Sequence, residues 1–253
     1  MRLQGKTAII TGAGSGIGNA TVRKFIAEGA NVFATDLNLT ALENLAKEFP
    51  AIGIMTSDVS KKEEVSAVVE AATKKWSRLD ILVNSAGITA RNVGENASLE
   101  ERWDKVMEVN VKGSVLMAHS AVAAMRESGG GAIINLSSVM GFTGYPTALE
   151  FSDGFNPYPS SKGAVAQMTR DMGVRFAAEG IRVNAVAPGF VHTSLTANVT
   201  QNPEILNTLN SLHPSGRMGT AEEIANVIAF LASEEASFVN GAVWMVDGGY
   251  SAQ

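Results

Sequence analysis

A tyrosine and a lysine four residues apart, Tyr158 and Lys162, have the spacing that most directly indicates acid–base chemistry in this sequence. They fall at the start of a helix predicted over 157–178, so their side chains share one helix face. A tyrosine hydroxyl has an ordinary pKa of about 10, too high for proton exchange at neutral pH. A neighbouring ammonium and a helix N-terminus favour the phenolate, so we expect a lowered pKa for Tyr158 and a general acid–base role. A core tyrosine beside a surface lysine is the alternative interpretation of the pair.

A glycine-rich turn near the N-terminus indicates the binding of a phosphate-bearing cofactor. The sequence TGAGSGIG at 11–18 follows a strand predicted at 7–10 and opens a helix predicted over 17–28. Glycine lets a diphosphate approach the backbone, and the free N–H groups of a helix N-terminus attract the anion. A purely structural turn is the alternative. The residues expected to contact the cofactor here are Gly12, Ser15, Gly16, Ile17 and Gly18.

An acidic residue at the end of the second predicted strand, 31–35, bears on which dinucleotide is bound. The carboxylate of Asp36 can accept hydrogen bonds from the adenosine ribose hydroxyls, and its charge repels a 2′-phosphate. The neighbouring Ser15 and Leu37 supply no cation that would bind such a phosphate. The sequence therefore predicts NAD rather than NADP, with a solvated strand end as the alternative role of Asp36.

The elements that must position these residues follow from hydrophobic patterning. Short, almost wholly apolar runs alternate with longer amphipathic ones, which is typical of parallel β-α-β units covered by helices on both faces. Strands are predicted at 7–10, 31–35, 52–55, 81–84, 132–136, 181–186 and 242–246, and helices at 17–28, 40–49, 61–76, 99–125, 157–178 and 221–232. We expect one domain over 1–253, a Rossmann-type doubly wound α/β fold with a seven-stranded, mostly parallel sheet. Two irregular stretches, 141–156 and 190–219, are expected to be substrate loops.

Composition excludes several other classes of function. The 253 residues include no cysteine, carry a formal net charge of -5, and are 45% hydrophobic and 18% charged. A weakly acidic chain is a poor partner for nucleic acid, and a chain without cysteine has neither disulfides nor thiol nucleophiles. No apolar run approaches the length of a membrane span, and the N-terminus does not resemble a signal peptide, so we expect a soluble cytoplasmic protein. His192 and His213 lack metal-ligand spacing with carboxylates, and no metal site is predicted.

Taken together, these motifs resemble the short-chain dehydrogenase/reductase family over essentially the whole chain, as an NAD-preferring member. The resemblance implies a cofactor site that continues through three further segments. The carboxylate of Asp58, beside Val59, would hold the adenine amino group. The family's loop after the fourth strand is present as NSAG at 84–87, with serine in place of its second asparagine, and the segment NAVAPGFVHT at 184–193 would hold the nicotinamide carboxamide. The cofactor contacts implied by these segments are Asp58, Val59, Asn84, Ala86, Gly87, Pro188, Gly189, Val191 and Thr193, together with Tyr158 and Lys162.

The resemblance also implies a catalytic set of four residues. Ser138 would polarise the substrate oxygen, Tyr158 would exchange its proton, and Lys162 would hold the nicotinamide ribose and lower the tyrosine pKa. Asn110 would interrupt its helix and seat a water linking Lys162 to solvent. Ser137 competes with Ser138 for the serine role, and alignment on the following Val-x-Gly favours Ser138.

The segment before Tyr158 is longer than in most relatives, and because both of its ends are catalytic it must lie beside the active site. It contains the aromatic residues Phe142, Tyr145, Phe151 and Phe155 and the acidic residues Glu150 and Asp153. We interpret 141–156 as a wall of the substrate pocket, with packing on a neighbouring subunit or on the surface as the alternative.

The stretch 194–216 has an apolar helical pattern that faces either the substrate or the core. That pattern consists of Leu195, Ile205, Leu206, Leu209 and Leu212.

The activity implied is hydride transfer between NAD(H) and a secondary alcohol or ketone (EC 1.1.1.-), on a small-molecule substrate. A polyol or sugar-alcohol dehydrogenase and a 3-oxoacyl reductase are alternatives. The latter is weakened because Gly129 and Glu179 stand where carrier-protein reductases typically have arginines. A cofactor-binding sensor without turnover is a further alternative. The resemblance also implies a homotetramer assembled through the helices at 99–125 and 157–178.

Overall fold

The computed structural model describes residues 1–94, 96–147, 149 and 151–253, and of Asn198 and Val199 the backbone alone. Seven strands form one sheet in the order β3-β2-β1-β4-β5-β6-β9, and every neighbouring pair in it is parallel. A separate parallel pair, β7 and β8, lies in the segment 190–219. The strands are β1 Thr7–Thr11, β2 Asn31–Asp36, β3 Gly53–Thr56, β4 Ile81–Asn84, β5 Gly131–Leu136, β6 Ile181–Pro188, β7 Val191–His192, β8 Gly219–Thr220 and β9 Val243–Val246.

Helices cover both faces of the sheet because the strand residues alternate between two apolar cores. Ile10 packs in one core with Phe25 and Ile228, whereas Ile9 packs in the other with Val65 and Met117. The expected doubly wound fold is thereby confirmed. The helices are α1 Gly16–Ala27, α2 Leu39–Glu48, α3 Lys62–Trp76, α4 Leu99–Met107, α5 Ser114–Glu127, α6 Pro157–Phe176, α7 Ala197–Thr200, α8 Pro203–Ser211 and α9 Ala221–Ala232.

The direction of winding reverses between β1 and β4, which lie side by side. The chain runs outwards from β1 to β2 and β3, and then returns to β4, β5 and β6 on the other side. The loops that follow β1 and β4 therefore diverge, and a crevice opens at the carboxyl ends of the strands, where doubly wound folds bind ligands.

The helix predicted over 99–125 is wrong as one continuous helix. Instead of one helix over 99–125, α4 ends at Met107, a π-helical turn follows over Glu108–Gly113, and α5 begins at Ser114. The interruption implied at Asn110 is confirmed, and π-helical turns of this kind often mark functional positions. Gly113 in the turn packs so tightly that an added Cβ would lie 2.6 Å from Val59 Cγ2.

The segment 190–219 contains a helix that its apolar pattern only suggested. Helix α8 begins at Pro203 after Asn202, whose side chain accepts a 2.9 Å hydrogen bond from the N–H of Glu204. This is the usual arrangement of a polar cap followed by proline in the first turn. No helix among the described residues is both long and apolar enough to cross a membrane.

Candidate active site

A single cleft of about 1030 Å³ lies at the carboxyl ends of the strands and holds most of the predicted site residues. Asn84, Gly18 and Asn110 are outside its lining. The predicted residues that line it are Gly12, Ser15, Gly16, Ile17, Asp36, Asp58, Val59, Ala86, Gly87, Ser138, Tyr158, Lys162, Pro188, Gly189, Val191 and Thr193.

The glycine turn after β1 has a geometry that only glycine satisfies at its key positions. Gly12 has a φ of 64°, and a Cβ on Gly18 would lie 2.1 Å from the carbonyl oxygen of Gly12. Gly18 therefore allows the backbone of the turn to pack closely on the helix, although it lies outside the cleft lining. Ser15 precedes α1 without capping it, and no acidic residue lies in the first turn. Because N–H groups at a helix N-terminus without a side-chain acceptor attract anions, the turn fits a diphosphate.

Asp36 ends β2 at one side of the cleft, with its carboxylate held by two backbone groups. Its Oδ2 accepts a 2.9 Å hydrogen bond from the N–H of Gly14, and its Oδ1 accepts one of 2.9 Å from Asn38. The next residue, Leu37, is 71% exposed. Each carboxylate oxygen keeps acceptor capacity, so a fixed negative charge stands beside the glycine turn.

Asp58 follows β3 and lines the same side of the cleft. Its Oδ1 accepts hydrogen bonds from both the N–H (2.9 Å) and the hydroxyl (2.6 Å) of Ser60. Burial acts to raise the pKa of Asp58, but these hydrogen bonds and the positive charges of Lys105 and Lys61 together outweigh it and hold that pKa below its ordinary value. Asp58 is therefore an anionic acceptor at neutral pH.

Ser138 and Tyr158 face each other through their hydroxyl groups, and Ser138 acts on Tyr158 to lower its pKa. Ser138 precedes a short helical turn, Val139–Gly141, and its Oγ accepts a 3.2 Å hydrogen bond from the N–H of Met140. The competing Ser137 instead donates a 2.8 Å hydrogen bond to the carbonyl oxygen of Lys162, within α6. Of the two serines, Ser138 therefore faces the tyrosine.

The side chain of Lys162 is buried beside Tyr158. Its Nζ lies 5.6 Å from the centroid of the Tyr158 ring and donates a 2.7 Å hydrogen bond to the carbonyl oxygen of Leu136. Burial lowers the pKa of Lys162 to about 8. Burial also raises the pKa of Tyr158, and the Ser138 hydrogen bond opposes this only in part. The expectation of a lowered Tyr158 pKa is therefore wrong, because desolvation of the phenolate dominates and the ammonium is directed to a carbonyl group.

Asn110 is buried in the π-helical turn and holds two neighbouring elements together. Its Oδ1 accepts from the N–H of Ile88 (2.8 Å), and its Nδ2 donates to the carbonyl oxygen of Ile88 (2.9 Å) and to Ser161 Oγ (3.0 Å). A Cβ on Gly87 would lie 3.3 Å from Asn110 Oδ1 and 3.4 Å from Lys162 Nζ. Asn110 therefore fixes the loop after β4 against α6 close to the lysine, and the water expected there stays a prediction.

Asn84 at the end of β4 is directed into the protein rather than into the cleft. Its Nδ2 donates to Asn135 Oδ1 (2.9 Å) and to the carbonyl oxygen of Ser114 (3.3 Å), and Asn135 donates in turn to Thr169 (2.9 Å). These bonds tie β4, β5 and α6 together beneath the site. These contacts give Asn84 a structural position, and the cofactor contact that the motif implied stays a prediction.

The segment after β6 closes over the glycine turn. The hydroxyl of Ser194 donates a 3.0 Å hydrogen bond to Ser15 Oγ, and Thr193 lies so near that a Cβ on Gly16 would be 3.2 Å from its Cβ. Thr196 holds the segment in place, because its hydroxyl donates to the carbonyl oxygen of Val191 (2.7 Å) and accepts from the N–H of Thr193 (3.1 Å).

The loop 141–156 forms part of the cleft wall through some of its aromatic residues. Tyr145 and Phe151 line the cleft with their ring centroids 6.0 Å apart, and Phe151 also packs near Phe190 at 6.4 Å. Phe155, by contrast, is 64% exposed and lies outside the lining. Glu150, named with this loop from the sequence, lies outside the described residues.

The apolar face of α8 belongs to the core rather than to the cleft. Leu209 is fully buried against Leu149 and Met218. Of the apolar residues in 194–216 that the sequence pattern singled out, Leu195 alone lines the cleft. His213 is also structural, since its two ring nitrogens bond to the carbonyl oxygen of Leu209 and to the N–H of Phe190.

Sequence reasoning missed two residues that matter to the site. Thr11 Oγ1 accepts hydrogen bonds of 3.0 Å from the N–H groups of both Ser85 and Ala86, which holds the loop after β4 beside the glycine turn. Its position directly before the first glycine was the available signal. Arg91 also lines the cleft, and nothing in its sequence surroundings marked it.

Comparison with known proteins finds a matching family model and related proteins that align with nearly the whole chain. A family model described as enoyl-(acyl carrier protein) reductase matches residues 12–251. The chain is 41% identical to a 3-oxoacyl-[acyl-carrier-protein] reductase of Thermotoga maritima, over 98% of this chain and 99% of the relative. It is 40% identical to an L-tagatose-forming galactitol 2-dehydrogenase of Cereibacter sphaeroides, over 99% and 96% of the two chains.

A solved structure of a short-chain type dehydrogenase/reductase from Mycobacterium ulcerans superimposes with a TM-score of 0.90. It is 29% identical, and the match covers 100% of this chain and 92% of the other. With the doubly wound sheet, the glycine turn and the Ser138–Tyr158–Lys162 arrangement, these matches show that the chain belongs to the short-chain dehydrogenase/reductase family of oxidoreductases.

Proposed function

We propose that this protein is an NAD-dependent dehydrogenase of secondary alcohols that also reduces the corresponding ketones. The observation that carries the proposal is the hydroxyl pair of Ser138 and Tyr158, which lies beside the buried ammonium of Lys162. The same cleft extends to the glycine turn and Asp36. One cleft thus combines a proton-exchanging centre with groups suited to a dinucleotide.

In this mechanism the side chains transfer the proton of the substrate oxygen and stabilise the negative charge that forms on Tyr158. The nicotinamide cofactor, when bound, accepts or donates the hydride. Ser138 and Tyr158 hydrogen-bond the substrate oxygen, and the raised pKa of Tyr158 keeps its hydroxyl protonated and ready to donate in the reductive direction. In the oxidative direction Tyr158 first loses its proton to solvent, the nearby Lys162 ammonium stabilises the resulting phenolate, and the phenolate takes the proton of the substrate hydroxyl.

Our proposal of NAD rests on Asp36. Its carboxylate is fixed by Gly14 and Asn38 at the side of the cleft where an adenosine ribose would lie. Cationic residues such as Arg91, Lys105 and Lys162 line the cleft, but the ion pairs formed among the described residues do not include Asp36. A 2′-phosphate would therefore meet an uncompensated negative charge.

The test is an assay of NADH production with secondary alcohols, hydroxy acids and polyols, run in parallel with NADP. We expect turnover with NAD and little with NADP. Tyr158→Phe should abolish turnover while NADH still binds, as measured by quenching of protein fluorescence. Retained turnover in that variant would contradict the mechanism, and binding without any turnover in the unaltered protein would favour the sensor alternative.

Two narrower activities are supported by the relatives. The similarity to a galactitol 2-dehydrogenase supports polyol oxidation, and the similarity to a 3-oxoacyl-[acyl-carrier-protein] reductase supports reduction of 3-oxoacyl thioesters. In the structure Glu179 pairs with Arg126 (2.6 Å) and Arg175 (3.4 Å) and so compensates the positive charge that an acidic carrier protein would need. Galactitol with NAD, and acetoacetyl-CoA with NADH and NADPH, distinguish the two activities.

We also propose a homotetramer assembled through α5 and α6. The exposed apolar side chains of Val115 on α5 and Val174 on α6 support this assembly. Ala118 and Ala121 on α5 contribute less to such an interface, because they are buried against the protein's own core. Light scattering coupled to size-exclusion chromatography measures the state directly, and a cytoplasmic location stays an expectation.

A further inference from the structure

Arg91 places a positive charge in the wall of the cleft without a carboxylate partner in the described part of the chain. It belongs to a short helical turn, Ala90–Asn92, in the loop after β4. The ion pairs formed among the described residues do not include Arg91. A guanidinium in a ligand cleft without a protein counter-ion is suited to bind an anion.

The backbone that carries Arg91 is fixed on both sides. Asn92 Oδ1 accepts hydrogen bonds from the N–H (2.9 Å) and the hydroxyl (3.0 Å) of Thr89, and together they cap the turn. Upstream, Ile88 is bonded to the buried Asn110 through both its N–H and its carbonyl oxygen. The turn is therefore anchored to the π-helical segment, which also bonds through Asn110 to Ser161, the neighbour of Lys162 in α6.

The guanidinium itself is held by an aromatic ring from the enlarged loop. The Cζ of Arg91 lies 4.6 Å from the centroid of the Phe151 ring, a cation–π contact. Phe151 packs edge-on against Tyr145, and Tyr145 lies in the same apolar cluster as Tyr158. Contacts between side chains thus run from Arg91 through Phe151 and Tyr145 to the cluster that contains Tyr158.

The other charged residues of the lining do not occupy this position. Lys105 acts on Asp58, at the adenosine side of the cleft, and pairs with Glu108 at 3.1 Å. Asp153 lies on the enlarged loop, where its Oδ1 accepts a hydrogen bond from the N–H of Phe155, and it forms no ion pair with Arg91. The Phe151 side of the cleft therefore has a positive charge beside an apolar wall.

We propose that Arg91 is a specificity-determining residue that binds a carboxylate group of the substrate. The favoured substrates are then hydroxy acids whose carboxylate is separated from the reacting carbinol by an apolar body that packs on Tyr145 and Phe151. The flat guanidinium, held against Phe151, can give a carboxylate two parallel hydrogen bonds. The inference rests on the proposed function, since it names the substrate class of the same site.

The test compares two pairs of alcohols that differ in a carboxylate. The pair cis-4-hydroxycyclohexanecarboxylate and cyclohexanol contains the apolar body, whereas 3-hydroxybutyrate and 2-butanol form a short pair that lacks it. We expect kcat/KM for the acid to exceed that for its neutral partner by about tenfold or more in the cyclic pair. In Arg91→Gln that ratio should fall towards one through a rise in KM for the acid, and Arg91→Lys should restore it in part. Lys47→Gln removes an equal charge from the exposed end of α2 and should keep the ratio.

A binding measurement separates failure of this inference from failure of the proposed function. Cyclohexanecarboxylate has no carbinol to oxidise, so its affinity by titration calorimetry does not depend on turnover. Weakening by about tenfold in Arg91→Gln supports the carboxylate site even if none of the alcohols is oxidised, a result that would overturn the proposed function alone. The neutral alcohols could instead be oxidised with the same acid-to-neutral ratio of kcat/KM in the unaltered protein and in Arg91→Gln. That result would overturn the role of Arg91 but not the proposed dehydrogenase activity.

Discussion

The buried ammonium of Lys162 donates a 2.7 Å hydrogen bond to the carbonyl oxygen of Leu136, the last residue of β5. The strand end thereby fixes the position of the amine beside the ring of Tyr158. Because burial lowers the pKa of Lys162 to about 8, the folded chain at neutral pH carries a cation that is less stable there than in water. The buried ammonium of Lys162, which we propose for catalysis, therefore lowers the free energy of unfolding.

That cost predicts a pH-dependent stabilisation by Lys162→Met. An unfolded lysine has its ordinary pKa near 10.5, so between pH 8 and 10.5 the unfolded chain binds more protons and stability rises with pH. The variant does not titrate there. Its stability advantage over the unaltered protein should therefore be largest below pH 8 and fall by about 2 kcal/mol between pH 7 and 9.5.

Urea unfolding at pH 7, 8 and 9.5 measures this difference. Lys47→Met serves as the matched control for the loss of a lysine, since Lys47 is exposed at the end of α2. A difference for Lys162→Met that stays flat with pH would show that the amine is not destabilised by burial.

Asp36→Asn should shift the cofactor preference towards NADP. The change removes the negative charge that repels a 2′-phosphate, and we expect the ratio of kcat/KM for NADP to that for NAD to rise by about tenfold or more. Asparagine offers a single oxygen where Gly14 and Asn38 now use two, so the free energy of unfolding should also fall by about 1 kcal/mol. Asp153→Asn, an equal change of charge on the enlarged loop, should leave the cofactor ratio unchanged. A preference for NADP in the unaltered protein would refute the argument from Asp36.

Much of the fold could be predicted from the sequence because local pattern and global architecture agree. The alternation of apolar strands with amphipathic helices reflects two buried sheet faces, and the glycine turn reflects backbone positions that only glycine can occupy. The break in the helix near Asn110 was implied by the family resemblance but not by periodicity. Its physical cause is tertiary, namely the bonds of Asn110 to Ile88 and the tight packing of Gly113 on Val59.

Other features of the site could not be predicted from the sequence. The direction of the Tyr158 pKa shift depends on how deeply the phenol is buried and on where the Lys162 amine points, and neither quantity is encoded in a four-residue spacing. Asn84 follows its motif but turns inwards to Asn135, a long-range contact. Arg91 acquires its position only when the loop 141–156 folds back and brings Phe151 against it.

The two phenylalanines of the enlarged loop should behave differently when each is changed to alanine. Phe151→Ala removes a ring that lines the cleft and contacts Tyr145, Phe190 and Arg91, so the relative kcat/KM values across a panel of alcohols should change by about tenfold for bulky substrates. Phe155→Ala removes an exposed ring outside the lining and should leave the panel unchanged. If both variants kept the original profile, the loop would not be a wall of the substrate pocket, and its packing on a neighbouring subunit would become the better interpretation.

Alanine substitutions of the adjacent serines Ser137 and Ser138 should have different effects, one mainly on the free energy of unfolding and the other mainly on kcat. Ser138 faces the Tyr158 hydroxyl in the cleft, so Ser138→Ala removes a group that polarises the substrate oxygen, and kcat should fall by about a hundredfold or more with little loss of stability. Ser137 is buried and donates to the carbonyl oxygen of Lys162, so Ser137→Ala removes a buried hydrogen bond between the end of β5 and α6. That variant should lose about 1 kcal/mol of unfolding free energy and keep most of its kcat, because the hydroxyl that it removes bonds to the backbone of α6 and not to the substrate. Steady-state kinetics and urea unfolding on the same two proteins measure both effects, and the reverse pattern would assign the substrate-facing position to Ser137.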